Sequence, residues 1–119
     1  MHTENTQIPP KYTPDWLDKM DGRTTVAKIV RDRLDTLHND LGGINSLSYQ
    51  KKSLCKRAVW LEAVIESQEL ALAKGEDVDQ GKMTQATNSL IGLFRVLGME
   101  RQARQVDDLN TFLQRRKND

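Results

Sequence analysis

Between Leu47 and Leu97 the apolar positions fall into two helical runs that meet at Gly75-Glu76-Asp77-Val78-Asp79. The first run, Leu47 to Lys74, ends with a lysine in its last turn followed by a glycine able to take positive φ, a stop signal for a helix. Either Asp77 or Asp79 can cap the next helix, where acidic side chains suit the positive end of the dipole. The second run, about Gln80 to Leu97, spaces Met83, Thr87, Leu90, Phe94 and Leu97 by alternating steps of four and three, which makes one apolar stripe. The pattern predicts an antiparallel helical hairpin.

The longer arm carries more apolar surface than one partner helix covers. At about 100° per residue, Leu54, Ala58, Leu61, Ile65 and Leu72 fall within roughly 40° of one line. Trp60, Val64 and Ala71 form a second line, and Val59, Ala63 and Leu70 lie on the far side. Glu62, Glu66 and Glu69 share the one wet face. An apolar arc this wide implies burial from more than one direction, either by other helices of the chain or by further copies of it. The residues assigned to contacts between copies are Val59, Trp60, Val64, Leu70 and Ala71.

Outside the hairpin the signals are shorter. Residues 1–20 read as a flexible arm, because Ile8-Pro9-Pro10 and Thr13-Pro14 forbid a continuous helix. Within it, Trp16, Leu17 and Met20 can form one docking turn, capping the domain's own core or inserting into a neighbour. A first full helix is predicted over Thr24–Asp40, capped by Thr24 or Thr25, with Val26, Val30, Leu34, Leu37 and Leu41 on one side and Ile29 at its edge. It stops at Gly42-Gly43, and Ser46 or Ser48 caps the long arm. A last helix opens after Gly98 with Ala103, Val106, Leu109 and Leu113 on its edge, then the basic tail Arg115-Arg116-Lys117. The expected organisation is an N-terminal arm (1–20), a helix and glycine turn (21–47), a hairpin core (48–98) and a C-terminal helix with tail (99–119). The fold class is all-α: a long antiparallel helical hairpin with one preceding and one following helix, in an oligomer.

Composition changes this picture little. With 119 residues the chain is one domain's worth, and 18 basic against 17 acidic side chains leave net charge silent about partners. Charge distribution is more informative. Lys51, Lys52, Lys56 and Arg57 occupy two turns with no acid between them, while Glu62, Glu66, Glu69, Glu76, Asp77 and Asp79 follow against Lys74 alone. Such polarisation suits either phosphate contact or a solvated helix start, the latter at a cost of a few tenths of a kcal/mol per cation against the dipole. The one cysteine, Cys55, sits in a helical pattern and reads as a small buried hydrophobe more readily than as a reactive thiol. No apolar run approaches a membrane span, and Met1 is not followed by a secretory segment, so a soluble intracellular protein is expected.

Candidate chemistry is thin. Two histidines, His2 and His38, and one cysteine give no zinc pattern. No phosphate-cradling Gly-rich loop precedes Lys-Ser or Lys-Thr. Asp77 and Asp79 lack the rest of a calcium loop and read as turn and cap residues. Asp107 and Asp108, near Glu100, point about 100° apart on a helix and make no ready magnesium site. Serine and cysteine nucleophiles lack an evident base. An enzyme is not expected, nor a metal or cofactor.

Several stretches together carry a resemblance: Leu72-Ala73-Lys74-Gly75-Glu76-Asp77-Val78-Asp79, Thr87-Asn88-Ser89-Leu90, Leu93-Phe94-Arg95-Val96-Leu97-Gly98 and Met99-Glu100-Arg101-Gln102-Ala103-Arg104-Gln105-Val106. Over about residues 21–106 the chain resembles small terminase subunits, the DNA-packaging proteins of tailed bacteriophages and related prophage-like particles. The resemblance implies a non-catalytic adaptor in the host cytoplasm, a ring of many subunits that binds double-stranded DNA and presents it to the large terminase subunit. It further implies that the hairpin is the oligomerisation core. Arg23, Lys28, Arg31, Lys51, Lys52, Lys56 and Arg57 would face DNA, and Arg115, Arg116 and Lys117 would touch the large subunit. Small terminases usually read DNA with an N-terminal helix-turn-helix, whereas here one helix and a glycine turn precede the hairpin. The alternative expectation is a small helical protein-binding or regulatory module of phage origin with no nucleic-acid role.

Overall fold

Each long helix begins on an oxygen-bearing side chain that accepts from a backbone N–H three residues on. In the computed structural model, which describes residues 8–101, helix α1 spans Trp16–Lys19, α2 Thr25–Asp40, α3 Tyr49–Ala73 and α4 Gln80–Leu97. The Thr24 hydroxyl accepts from Ala27 N at 3.2 Å, Ser48 from Lys51 N at 3.1 Å and the Asp79 carboxylate from Lys82 N at 3.0 Å. Each satisfies a donor that a helix start otherwise leaves orphaned. A single 3₁₀ turn, Ile44–Ser46, joins α2 to α3. No strand occurs among the described residues.

The ends of α2 and α3 are equally well defined. At the hairpin turn Gly75 takes φ +83°. Glu76 N there reaches Ala71 O at 3.0 Å while Gly75 N reaches Leu72 O at 3.0 Å. The same paired closure ends α2, with Gly43 N on His38 O at 2.9 Å and Gly42 N on Asn39 O at 3.1 Å. Both are Schellman closures, which need a residue that tolerates positive φ. Helix α3, at 25 residues, is about 37 Å long, and α4 packs back along it antiparallel. On the apolar side of α4 the Thr87 hydroxyl donates to Met83 O at 3.0 Å, which lets a polar residue sit in that stripe.

Burial concentrates at one end of the hairpin. Trp16, Leu17 and Met20 pack with Ala27, Val30 and Val59 in one cluster, and Leu41, Leu47, Cys55 and Leu97 form a second. Leu34 and Leu37 of α2 touch both clusters. Farther out, α4 is only half-buried, and Leu97 is its one buried residue. Exposed apolar side chains remain along both helices, with Leu70 of α3 at 57%, Ile91 of α4 at 40% and Val96 of α4 at 69% of their surface.

Four expectations change against this arrangement. From residue 8 onward the N-terminal segment belongs to the core: α1 is the docking turn, and it caps its own chain. The buried face of α2 centres on Ala27, Val30, His38 and Leu41, leaving Val26 exposed, because α1 and α3 press on the helix from two directions. Two of the acids read as wet instead pair with α2: Arg33 Nη1 lies 2.6 Å from Glu66 Oε1 and 3.6 Å from Glu62 Oε1. All three side chains are at least a third exposed, so the pairing fixes geometry more than it stabilises. The last helix, expected to open directly after Gly98, does not begin at Met99-Glu100-Arg101, where the chain bends instead of forming a helical turn. The rest of that predicted helix and the tail Arg115-Arg116-Lys117 lie outside the described residues. Arg101, at the boundary, pairs with Asp40 at 3.1 Å.

His38 is the buried polar residue of α2. Burial holds its pKa below the ordinary 6.5; Asp35 pulls it up and Lys52 pushes it down. The native state therefore takes up this proton at lower pH than the unfolded chain. Stability should be fully present above the unfolded pKa near 6.5 and fall as pH drops from there toward the lowered native value. Urea midpoints measured across about pH 5–8 should show that slope, and His38→Gln should flatten it.

Candidate nucleic-acid interface

The first two turns of α3 bring the four clustered cations to one end of the bundle. Lys51, Lys52 and Arg57 are exposed, and Lys56 is half-buried. Among the described residues none of the four is paired with a carboxylate; the ion pairs that form join Lys19 to Asp15, Arg23 to Asp21, Arg33 to Glu62 and Glu66, and Arg101 to Asp40. The positive charge at this end is thus uncompensated.

Two of the four are held in place by the N-terminal segment. Lys56 Nζ donates to Pro14 O at 2.9 Å, and the Arg57 guanidinium lies over the Tyr12 ring, 4.6 Å from its centroid. Arg57 Nη1 also donates to the Ser53 hydroxyl one turn earlier. Tyr12 in turn meets Trp60 edge-to-face at 5.8 Å, and Trp60 Nε1 donates to Pro9 O at 3.0 Å. Residues 8–14 are therefore strapped across α3 by an aromatic pair and two backbone carbonyls, with each bonded cation retaining unused donors.

Beneath the strap is a cavity of about 480 Å³. Lys52, Lys56 and Arg57 line it together with Ser53, Tyr12, Tyr49, His38, Leu34, Ile44 and Pro14, and no carboxylate is among the lining residues. A second hollow of about 410 Å³ lies between α2, α3 and α4, with Ile29, Leu37, Val59 and Phe94 inside and Asp32, Asp40 and Glu62 at its walls. With three acids against Arg33 alone its walls disfavour phosphate, whereas the cavity at the start of α3, with three cations and no carboxylate, suits an anion.

The remaining sequence-derived positions are scattered. Arg23 is bound to Asp21, Lys28 is exposed, and the Arg31 guanidinium lies so close to Gly22 that an added Cβ there would sit 3.0 Å from Nη1. None of the three lines the cavity. Of the residues assigned to contacts between copies, Val59 is buried in the chain's own core and Trp60 is partly covered by the strap. Both are correctly read as apolar, but their cover comes from α1, α2 and residues 8–14 of the same chain. Val64 and Ala71 are half-buried, and Leu70 is exposed.

From the sequence, Tyr12 and Tyr49 receive no role, and His38 is weighed only as a zinc ligand. Tyr49 had a usable signal: an aromatic residue next to the cap Ser48 and one turn before Lys52. Tyr12 and His38 reach the cavity from other elements and had none.

Burial pushes the Cys55 thiol up, with Lys51 pulling the other way, so the sulfur is held as a neutral apolar neighbour of Leu41 and Leu97. Among the described residues no group of three or more His, Cys, Asp or Glu side chains is placed to hold a metal, and no helix is long and apolar enough to cross a membrane. No protein-family model, no curated protein and no solved structure matches the chain.

Proposed function

We propose that this chain is a non-catalytic DNA-packaging adaptor of the small-terminase kind: a homo-oligomer that binds viral double-stranded DNA in the host cytoplasm and presents it to the large terminase subunit. The observation that carries the reading is the cationic end of α3, where four positive side chains have no carboxylate partner among the described residues. One such patch binds phosphate weakly and releases few counterions. Repeated around a ring it binds by avidity, with DNA curvature adding selectivity without base contacts.

The oligomer is supported by apolar side chains left uncovered along the hairpin. Leu70 and Leu72 near the end of α3, and Ile91 and Val96 of α4, remain exposed. Native mass measurement tests this directly. A closed ring of many copies is expected, and a monomer that persists at high concentration overturns the packaging reading.

A second reading is favoured by one specific observation: Lys56 and Arg57 are already engaged by Pro14 and Tyr12 of their own chain. Their charges then serve to hold the strap, and the protein is a helical protein-binding or regulatory module with no nucleic-acid role. Electrophoretic mobility with DNA at low and moderate salt separates the two. A salt-sensitive shift supports the adaptor, and no shift at either salt supports the module.

A further inference from the structure

We infer that the cavity at the start of α3 takes one unpaired nucleotide of single-stranded DNA, its phosphate among Lys52, Lys56 and Arg57 and its base against the ring of Tyr49. The inference rests on the DNA-binding reading above and narrows it from duplex backbone to a splayed base.

The cations alone would suit any phosphate. The rest of the wall is what a duplex leaves unused, since paired bases stay stacked inside the helix and offer a protein mainly sugar and phosphate. Here the cations share their cavity with two tyrosines and three apolar side chains, and its volume of about 480 Å³ falls in the range of small-ligand sites. Phosphate chemistry beside an aromatic wall is the combination by which proteins hold single strands, because every base has a π-face.

Tyr49 is the residue that points to this ligand. It is 82% exposed at the first position of α3, and nothing about the fold requires a ring there. Lys52 and Ser53 follow it by three and four residues, so all three project from the same side of the helix. Ile44, from the turn before α3, is 49% exposed on the same cavity. The site is also partly organised before any ligand arrives. Lys56 is fixed by Pro14 O and Arg57 by Tyr12 and Ser53, which lowers the cost of ordering two long side chains. His38, buried and with its pKa lowered by that burial, completes the wall from α2.

The test is fluorescence anisotropy of the full chain with a labelled oligo-dT strand and with a duplex of equal length, both at one moderate salt concentration. The wild type binds the single strand. Tyr49→Ala, at an exposed position that leaves folding intact, weakens that binding roughly 5- to 100-fold while changing duplex affinity less than about twofold. Tyr49→Phe restores single-strand binding, and Lys52→Glu weakens both ligands. If Tyr49→Ala leaves oligo-dT affinity unchanged, or the duplex binds and oligo-dT does not, the nucleotide site is overturned and the duplex-binding reading stands. If neither ligand binds, both readings fall together.

Discussion

Replacing Trp16 with alanine should lower stability by about 3–5 kcal/mol, the usual cost of deleting a large aromatic side chain from a packed core. Trp16 is 1% exposed and joins α1 to Ala27 and Val30 of α2 and to Val59 of α3. Domains of this size are stable by about 5–15 kcal/mol in total, so the loss takes a large share. Trp16→Phe should cost far less. The indole N–H of Trp16 is buried with no hydrogen-bond partner among the described residues, and removing such an unmade donor recovers about 1–3 kcal/mol of desolvation. That gain offsets much of the lost ring volume. Urea midpoints of the two variants, at unchanged m-value, give the comparison. In each variant Trp60 becomes the one remaining tryptophan of two, so its emission reports on the strap. Equal destabilisation by alanine and phenylalanine would mean that the indole nitrogen is satisfied in solution.

That anchoring role was half-visible in the sequence. Trp16, Leu17 and Met20 read as a docking turn because three apolar side chains fall within little more than one helical turn. The strap that follows from it was invisible, since residues 8–14 hold α3 through the carbonyls of Pro9 and Pro14. Backbone acceptors leave no trace in a pattern of side chains. The caps are the opposite case: the sequence offers Thr24, Ser48 and Asp79 beside Thr25, Ser46 and Asp77, and local hydrogen bonding selects among them. The wide apolar arc of α3 was legible as an excess, but its cover was not. Val59 and Trp60 are met by the chain itself, and the excess that remains lies at Leu70 of α3 and at Ile91 and Val96 of α4. At the site, the cations could be read because they fall within two turns of one helix. The cavity around them could not, because its walls come from the N-terminal segment, α2, the 3₁₀ turn and α3.

Reversing the charge of Lys51, Lys52, Lys56 and Arg57 together should abolish duplex binding at moderate salt. Each phosphate that a cation neutralises contributes about −0.9 to the slope of log affinity against log salt, so four such contacts account for about 3–4 of it. The four positions are not equivalent, however. Lys51 and Lys52 are exposed and hold nothing else in place, whereas Lys56 and Arg57 also carry the strap. Lys51→Glu with Lys52→Glu is therefore the cleaner experiment, expected to remove about 2 from the slope per subunit engaged while leaving stability and native mass unchanged. The pair Lys56→Glu and Arg57→Glu should remove a similar amount and also loosen residues 8–14, seen as a red shift of Trp60 emission in a Trp16→Phe background. A binding curve whose salt dependence is the same in Lys51→Glu/Lys52→Glu as in the wild type would show that these cations touch no phosphate. In that case the charge at the start of α3 serves the strap, and the protein-binding reading takes over.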